Sequence, residues 1–252
     1  MLKKISLIIV SLLLCFLLSS CMLIFPPDAS PSAAPSESAS PSASPVESIS
    51  PQQALEYFSI VALQSEYGGG SSEGIVRRWE RPIIVEVRGQ PTVEDMDTLT
   101  AHLNMLNDIE GMPDITITEE AGSGNYIINF VPLDDMGTVI PSYVEDNWGY
   151  VSLSWDSNSR RITKANVAIA TDVTNQIRRN HLILEEVTQG LGLLNDSPLY
   201  QDSIYQIDWT ETQQLSQLDY LIIEMLYSPA VYAGMHQADA ESALEEWLGS
   251  SQ

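Results

Sequence analysis

The stretch from His181 to Asp196 constrains this chain more than any other. Ile183, Leu184, Val187 and Leu191 recur at helical spacing and predict a buried stripe. His181, Glu185 and Gln189 succeed one another at i, i+4 along one edge of it. A helix that packs on a sheet through this stripe brings three polar groups to the margin of the core, where a cleft can open. Gly190 ends the helix, and Asp172 or Thr174 is placed to cap its start. The adjacent Glu185 and Glu186 point about 100° apart. One of them is therefore expected in a polar cluster with Gln189 and Asn195, the other in solvent.

Upstream segments supply the sheet. Alternating or β-branched runs predict strands at 83–87, 115–118, 126–131, 149–155 and 162–170, the last two paired across the Asp156–Ser159 turn. Residues 132–147 read as a loop. Apolar residues at helical spacing predict helices at 52–63 and 92–109, the second capped by Thr92 with Asp95 three residues on. Further helices are expected at 215–226 and 239–248. The order predicts an α+β domain over residues 51–252: a mixed, twisted sheet carrying the His181–Gln189 helix, with a mainly helical C-terminal part. Arg77, Arg78 and Arg81 beside Trp79 suit an anionic or aromatic ligand. The favoured reading is that their stems pack on the ring and pair with local acids.

The N-terminus reads as an address. Lys3 and Lys4 precede an apolar run, Ile5 to Leu18, that is short for a membrane span. It closes on Leu18-Ser19-Ser20-Cys21, which resembles a bacterial lipobox. Residues 1–20 are expected to be a signal peptide and Cys21 an acylated, palmitate-type anchor, holding the protein on the extracytoplasmic face of the cell membrane. Residues 21–50 are rich in Ser, Pro and Ala and are expected to form a disordered, extended linker. The cysteines are Cys15 and Cys21, so the mature domain is expected to hold no disulfide and no thiolate ligand. A formal charge of −23 argues against nucleic acid as a partner.

The spacing of the central stretch resembles H-E-x-x-H-x-x-G-x-x-H, the active-site helix of the metzincin metallopeptidases, in which three histidines hold zinc. Here the histidine positions fall on Glu185, Gln189 and Asn195, while the base Glu186 and the turn glycine Gly192 are kept. Metzincins place a methionine turn below the metal; Ser197 to Tyr205 contains no Met, and Ile204 or Tyr205 takes the place. Further residues resemble a bacterial family known as domain of unknown function 2927, many of whose members are lipoproteins. They are Arg78-Trp79, Leu184 to Leu193, Asn195-Asp196-Ser197, Asp202-Ser203-Ile204-Tyr205, Leu218-Asp219, Leu226 to Pro229 and Gly234-Met235. The resemblance implies a zincin-like fold and an extracytoplasmic location, and it carries no activity.

Two functions are open at this point. The favoured one is a non-catalytic, pseudopeptidase-like lipoprotein whose groove binds an extended peptide or a cell-wall component by strand addition. The alternative is a divergent metal-dependent hydrolase with Glu186 as general base. Its ion, a hard divalent cation, would be drawn to Glu185, Gln189, Asn195, Asp196 and His181. No cofactor is expected under the first reading, because carboxylate and amide oxygens are a weak set for zinc.

Overall fold

Ser50 starts the folded chain. Its hydroxyl accepts from Gln53 N at 3.2 Å and Gln53 Oε1 accepts from Ser50 N at 2.9 Å, a reciprocal cap on helix α1 (Pro51–Leu63). The computed structural model describes residues 49–64 and 74–250. The expected signal peptide, Cys21 and nearly all of the linker lie outside the described residues.

Strands β1 (Ile83–Gly89), β2 (Ile115–Thr118), β3 (Tyr126–Val131), β4 (Gly149–Trp155) and β5 (Ile162–Ala170) form one sheet in the order β2-β1-β3-β5-β4. The first three junctions are parallel, and β4 closes the row antiparallel to β5. Strand β3 is buried on both faces, as the middle of a largely parallel sheet must be. Helix α2 (Val93–Asn107) crosses from β1 to β2. Thr92 caps it in a reciprocal box with Asp95, as expected. Helix α4 (Gln176–Gln189) packs on β5, β4 and α2. Helices α5 (Gln217–Tyr227) and α6 (Gln237–Ser250) complete the helical C-terminal part, both packing on α1. The main core lies between the sheet and these helices. A small second cluster of Met136, Ile140, Ala168 and Ala170 covers the other face.

The 132–147 segment is not wholly loop. A 3-10 turn at Leu133–Asp135 runs into a short helix α3 (Met136–Val139), because Met136 and Ile140 must cover the alanines of β5. The arginines also depart from expectation. Arg78 bonds to carbonyls rather than to an acid; its Nη1 donates to Leu226 O, Ser228 O and Val231 O at 2.8, 3.1 and 3.0 Å. It ties the strand-side segment to the end of α5, where buried carbonyls need a donor. Arg81 lies over the Trp79 ring at 5.9 Å, as expected, and donates to Thr163 O, whereas Arg77 lies over a different ring, Trp155, at 4.5 Å. The cluster is structural glue, and of these contacts only that of Arg81 on Trp79 was anticipated.

Candidate functional site

Helix α4 begins where neither expected residue caps it. Asn175 Oδ1 accepts from Arg178 N at 3.0 Å instead. The Thr174 hydroxyl is spent on Ala170 O at 2.7 Å, and Asp172 Oδ1 accepts from Leu133 N at 2.9 Å. The helix buries Ile183, Leu184 and Val187, each worth about 1.5–3 kcal/mol, and this stripe orients everything else on it.

Its C-terminal end is held by a device that periodicity cannot reveal. The last carbonyls of a helix lack intrahelical donors, and here three buried aromatic side chains supply them. Tyr126 Oη donates to Val187 O at 2.7 Å, Trp79 Nε1 to Gly190 O at 3.0 Å, and Tyr227 Oη to Leu191 O at 2.9 Å. Gly190 is required because a Cβ there would sit 1.9 Å from Tyr126 Oη. The sequence signal was three large aromatics with polar tips, two of them, Tyr126 and Tyr227, beside apolar runs and Trp79 among charged residues.

The edge carrying His181, Glu185 and Gln189 faces a cavity of about 650 Å³ whose far wall is β4. Glu186 also reaches it; the side chain is buried and lies against Gly149, where any Cβ would meet Glu186 Oε1 at 2.2 Å. Neither glutamate is therefore a solvated surface group. The expected cluster of Glu185 with Gln189 and Asn195 does not form. Glu185 Oε2 lies 3.3 Å from His181 Nε2, while Gln189 Nε2 donates to Asp196 Oδ1 at 2.8 Å and Asn195 Nδ2 to Asp196 O at 3.0 Å. The reason is the turn at Gly192, which returns Asp196 rather than Asn195 to the helix edge.

Below this edge runs the segment expected in place of a methionine turn. Ile204 and Tyr205 are fully buried. Tyr57 Oη donates to Ser203 Oγ at 2.6 Å, Ser203 Oγ donates to Asp219 at 2.5 Å, and Ile204 N donates to the same carboxylate at 3.1 Å. Burial raises the Tyr205 hydroxyl well above its ordinary pKa, helped by the charges of Asp219, Glu185 and Asp196.

His181 is the basic residue of the cavity wall. Its Nδ1 lies 2.9 Å from Thr212 O, and Trp209 stands edge-on to it at 5.4 Å between centroids. Burial opposes the charged ring, but the Glu185 carboxylate and the Thr212 carbonyl together outweigh it, and the pKa is raised above 6.5. A raised folded-state pKa means stability that is fully present below 6.5 and lost as pH climbs through the folded value. Glu185→Gln is expected to lower the His181 midpoint below 6.5 in an NMR titration of the ring protons, since burial then stands with weaker opposition. An unchanged midpoint would rule out the pairing.

Zinc, which the metzincin pattern implies, does not fit these residues. The three ligand positions carry one carboxylate and two amides. Gln189 turns its amide nitrogen to Asp196, and both nitrogens of the His181 ring already face oxygens, Nδ1 that of Thr212 at 2.9 Å and Nε2 that of Glu185 at 3.3 Å. Among the described residues no three His, Cys, Asp or Glu side chains are placed to share an ion. The cavity wall is instead acidic and aromatic: Asp146, Glu185, Glu186 and Asp196 face Trp148, Tyr150 and Trp155, with no Lys or Arg among the described residues of the lining.

A family model for proteins of unknown function (DUF2927) matches residues 51–246. Two solved structures of myroilysin are similar to this chain. One is 12% identical with a TM-score of 0.40, covering 60% of this chain and 94% of its own. The other is 11% identical with a TM-score of 0.39, covering 72% and 97%. No curated protein matches the sequence.

Proposed function

We propose, for a chain that belongs to the DUF2927 family, that the cleft between β4 and α4 is a non-catalytic groove binding a basic peptide in extended form. The observation that carries this is the edge of β4. Ala170 N donates to Trp148 O at 2.8 Å, so Trp148, Tyr150 and Ser152 turn their backbone groups toward β5. Antiparallel alternation then turns those of Gly149, Val151 and Leu153 outward, along the cavity. A peptide strand laid there gains main-chain hydrogen bonds, and the carboxylates of the wall favour its basic side chains. Glu186, buried against Gly149, fills space there rather than meeting the peptide or activating water.

The test uses a pool of lysine-containing extended peptides. Val151→Pro removes one outward N–H and leaves the β4–β5 ladder complete. It is expected to weaken peptide binding at least tenfold with little change in Tm, whereas Glu186→Gln binds as well as the parent protein. Undiminished binding by the proline variant defeats the strand-addition reading. Peptide hydrolysis that chelators stop and Glu186→Gln abolishes would replace it with the hydrolase.

The proposal extends to location. A lipid anchor at Cys21 and the linker beyond it would hold this groove outside the cell membrane, presented to envelope peptides. Mass spectrometry of the mature N-terminus tests this: an unmodified, uncleaved Cys21 removes the anchor from the proposal.

A further inference from the structure

A second cavity, of about 660 Å³, lies between α2, α4 and the segment leading into α5, and shares no residue with the groove. Its volume suits a small organic molecule. Ala101, Met105, Leu184, Leu215 and Tyr220 supply apolar wall, and none of the described lining residues is charged in a chain of formal charge −23. An ion taken into such a wall would lose its hydration without a counter-charge, so the wall selects against charged ligands.

The polar groups there are specific. His102, 5% exposed, lines the cavity from α2. Its Nε2 lies 2.8 Å from Thr188 Oγ1, and that hydroxyl already donates its one proton to Leu184 O at 2.6 Å. Nε2 must therefore be the donor to Thr188, which leaves Nδ1 as a bare acceptor. Among the described residues nothing donates to Nδ1, and His102 lines the cavity, so this lone pair is left for a ligand there. Burial holds the ring's pKa down to about 4, which keeps it a neutral acceptor at neutral pH. Opposite, Asn180 Oδ1 accepts from Thr98 and Gln176, leaving its Nδ2 hydrogens for an acceptor. One acceptor and one donor thus stand in an uncharged, largely apolar chamber.

We infer that this cavity binds a small uncharged molecule with an apolar body and a hydroxyl or N–H group, which donates to His102 Nδ1. The site is independent of the peptide groove and of any activity there.

Phenol, anisole and benzoate, titrated separately against the protein by ligand-observed NMR, test it. Phenol is expected to bind saturably; anisole, the same ring with its hydroxyl blocked, at least tenfold more weakly; benzoate not measurably. Ala101→Trp places bulk from an exposed position of α2 into the cavity and should abolish phenol binding at unchanged Tm. The inference is overturned if none of the probes binds, if phenol and anisole bind alike, or if the tryptophan variant binds phenol normally.

Discussion

Gly192→Ala is expected to cost about 3 kcal/mol, a fall of roughly 10 °C in Tm for a domain of this size. Two effects add. Gly192 has φ +120°, a region where any side chain is strained, at a cost of about 1–2 kcal/mol. Its Cβ would also stand 2.2 Å from Arg77 O, a backbone atom, and relieving such an overlap costs about 1–3 kcal/mol. Arg77 O has little room to retreat. The next residue is held by three carbonyl contacts of its guanidinium, and its own carbonyl accepts from Ile162 N at 3.0 Å. Gly122 is the control, with φ +82° and nothing within 4 Å of its would-be Cβ. Gly122→Ala should show the backbone strain alone, and equal losses in the two variants would refute the steric account. The clash matters for the groove as well, since this turn carries Asp196 back to Gln189.

The same turn marks the limit of what periodicity reveals. The buried stripe of α4, its polar edge, Gly192 and all five strands were legible, because each is a local pattern in which spacing dictates a face. Pairing was not. Asp172 or Thr174 was the expected cap, and the role fell to Asn175 because Ala170 O and Leu133 N claim the other two. Glu185, Gln189 and Asn195 read as partners when laid on a repeat. A turn with positive φ shifted the return by one residue, so Gln189 meets Asp196 and Glu185 turns back to His181. The carbonyls that Arg78 holds lie about 150 residues away in sequence. The aromatic clamp on α4 likewise joins three distant segments, and the second cavity exists only where α2, α4 and the approach to α5 fail to close. Such features belong to tertiary packing.

Asp219→Ala is expected to destabilise the protein by about 3–5 kcal/mol, the cost of stranding groups built around a buried carboxylate. Asp219 is fully buried. Its oxygens accept from Ser203 Oγ, Ile204 N and Ser216 N at 2.5, 3.1 and 2.9 Å, so three donors would be left facing a methyl group. Two of them belong to the floor beneath the motif helix, and through Ser203 the loss reaches the Tyr57 hydroxyl. Loosening of the floor should therefore accompany the fall in stability and appear as faster amide exchange at Ile204 and Tyr205. The pH dependence provides a second check. Burial pushes the Asp219 carboxyl above its ordinary 3.8 despite these donors. With the folded value above the unfolded one, the protonated form is favoured in the folded state. The contribution of this group is then greatest below 3.8 and declines as pH rises through the folded value. The stability gap between the parent protein and Asp219→Ala should accordingly be widest in acid and narrow on the way to neutrality. Denaturant unfolding of both proteins across that range decides the matter: a gap that widens with rising pH would mean the donors, not burial, dominate the carboxylate, and a gap under about 1 kcal/mol would mean the network does not hold the floor.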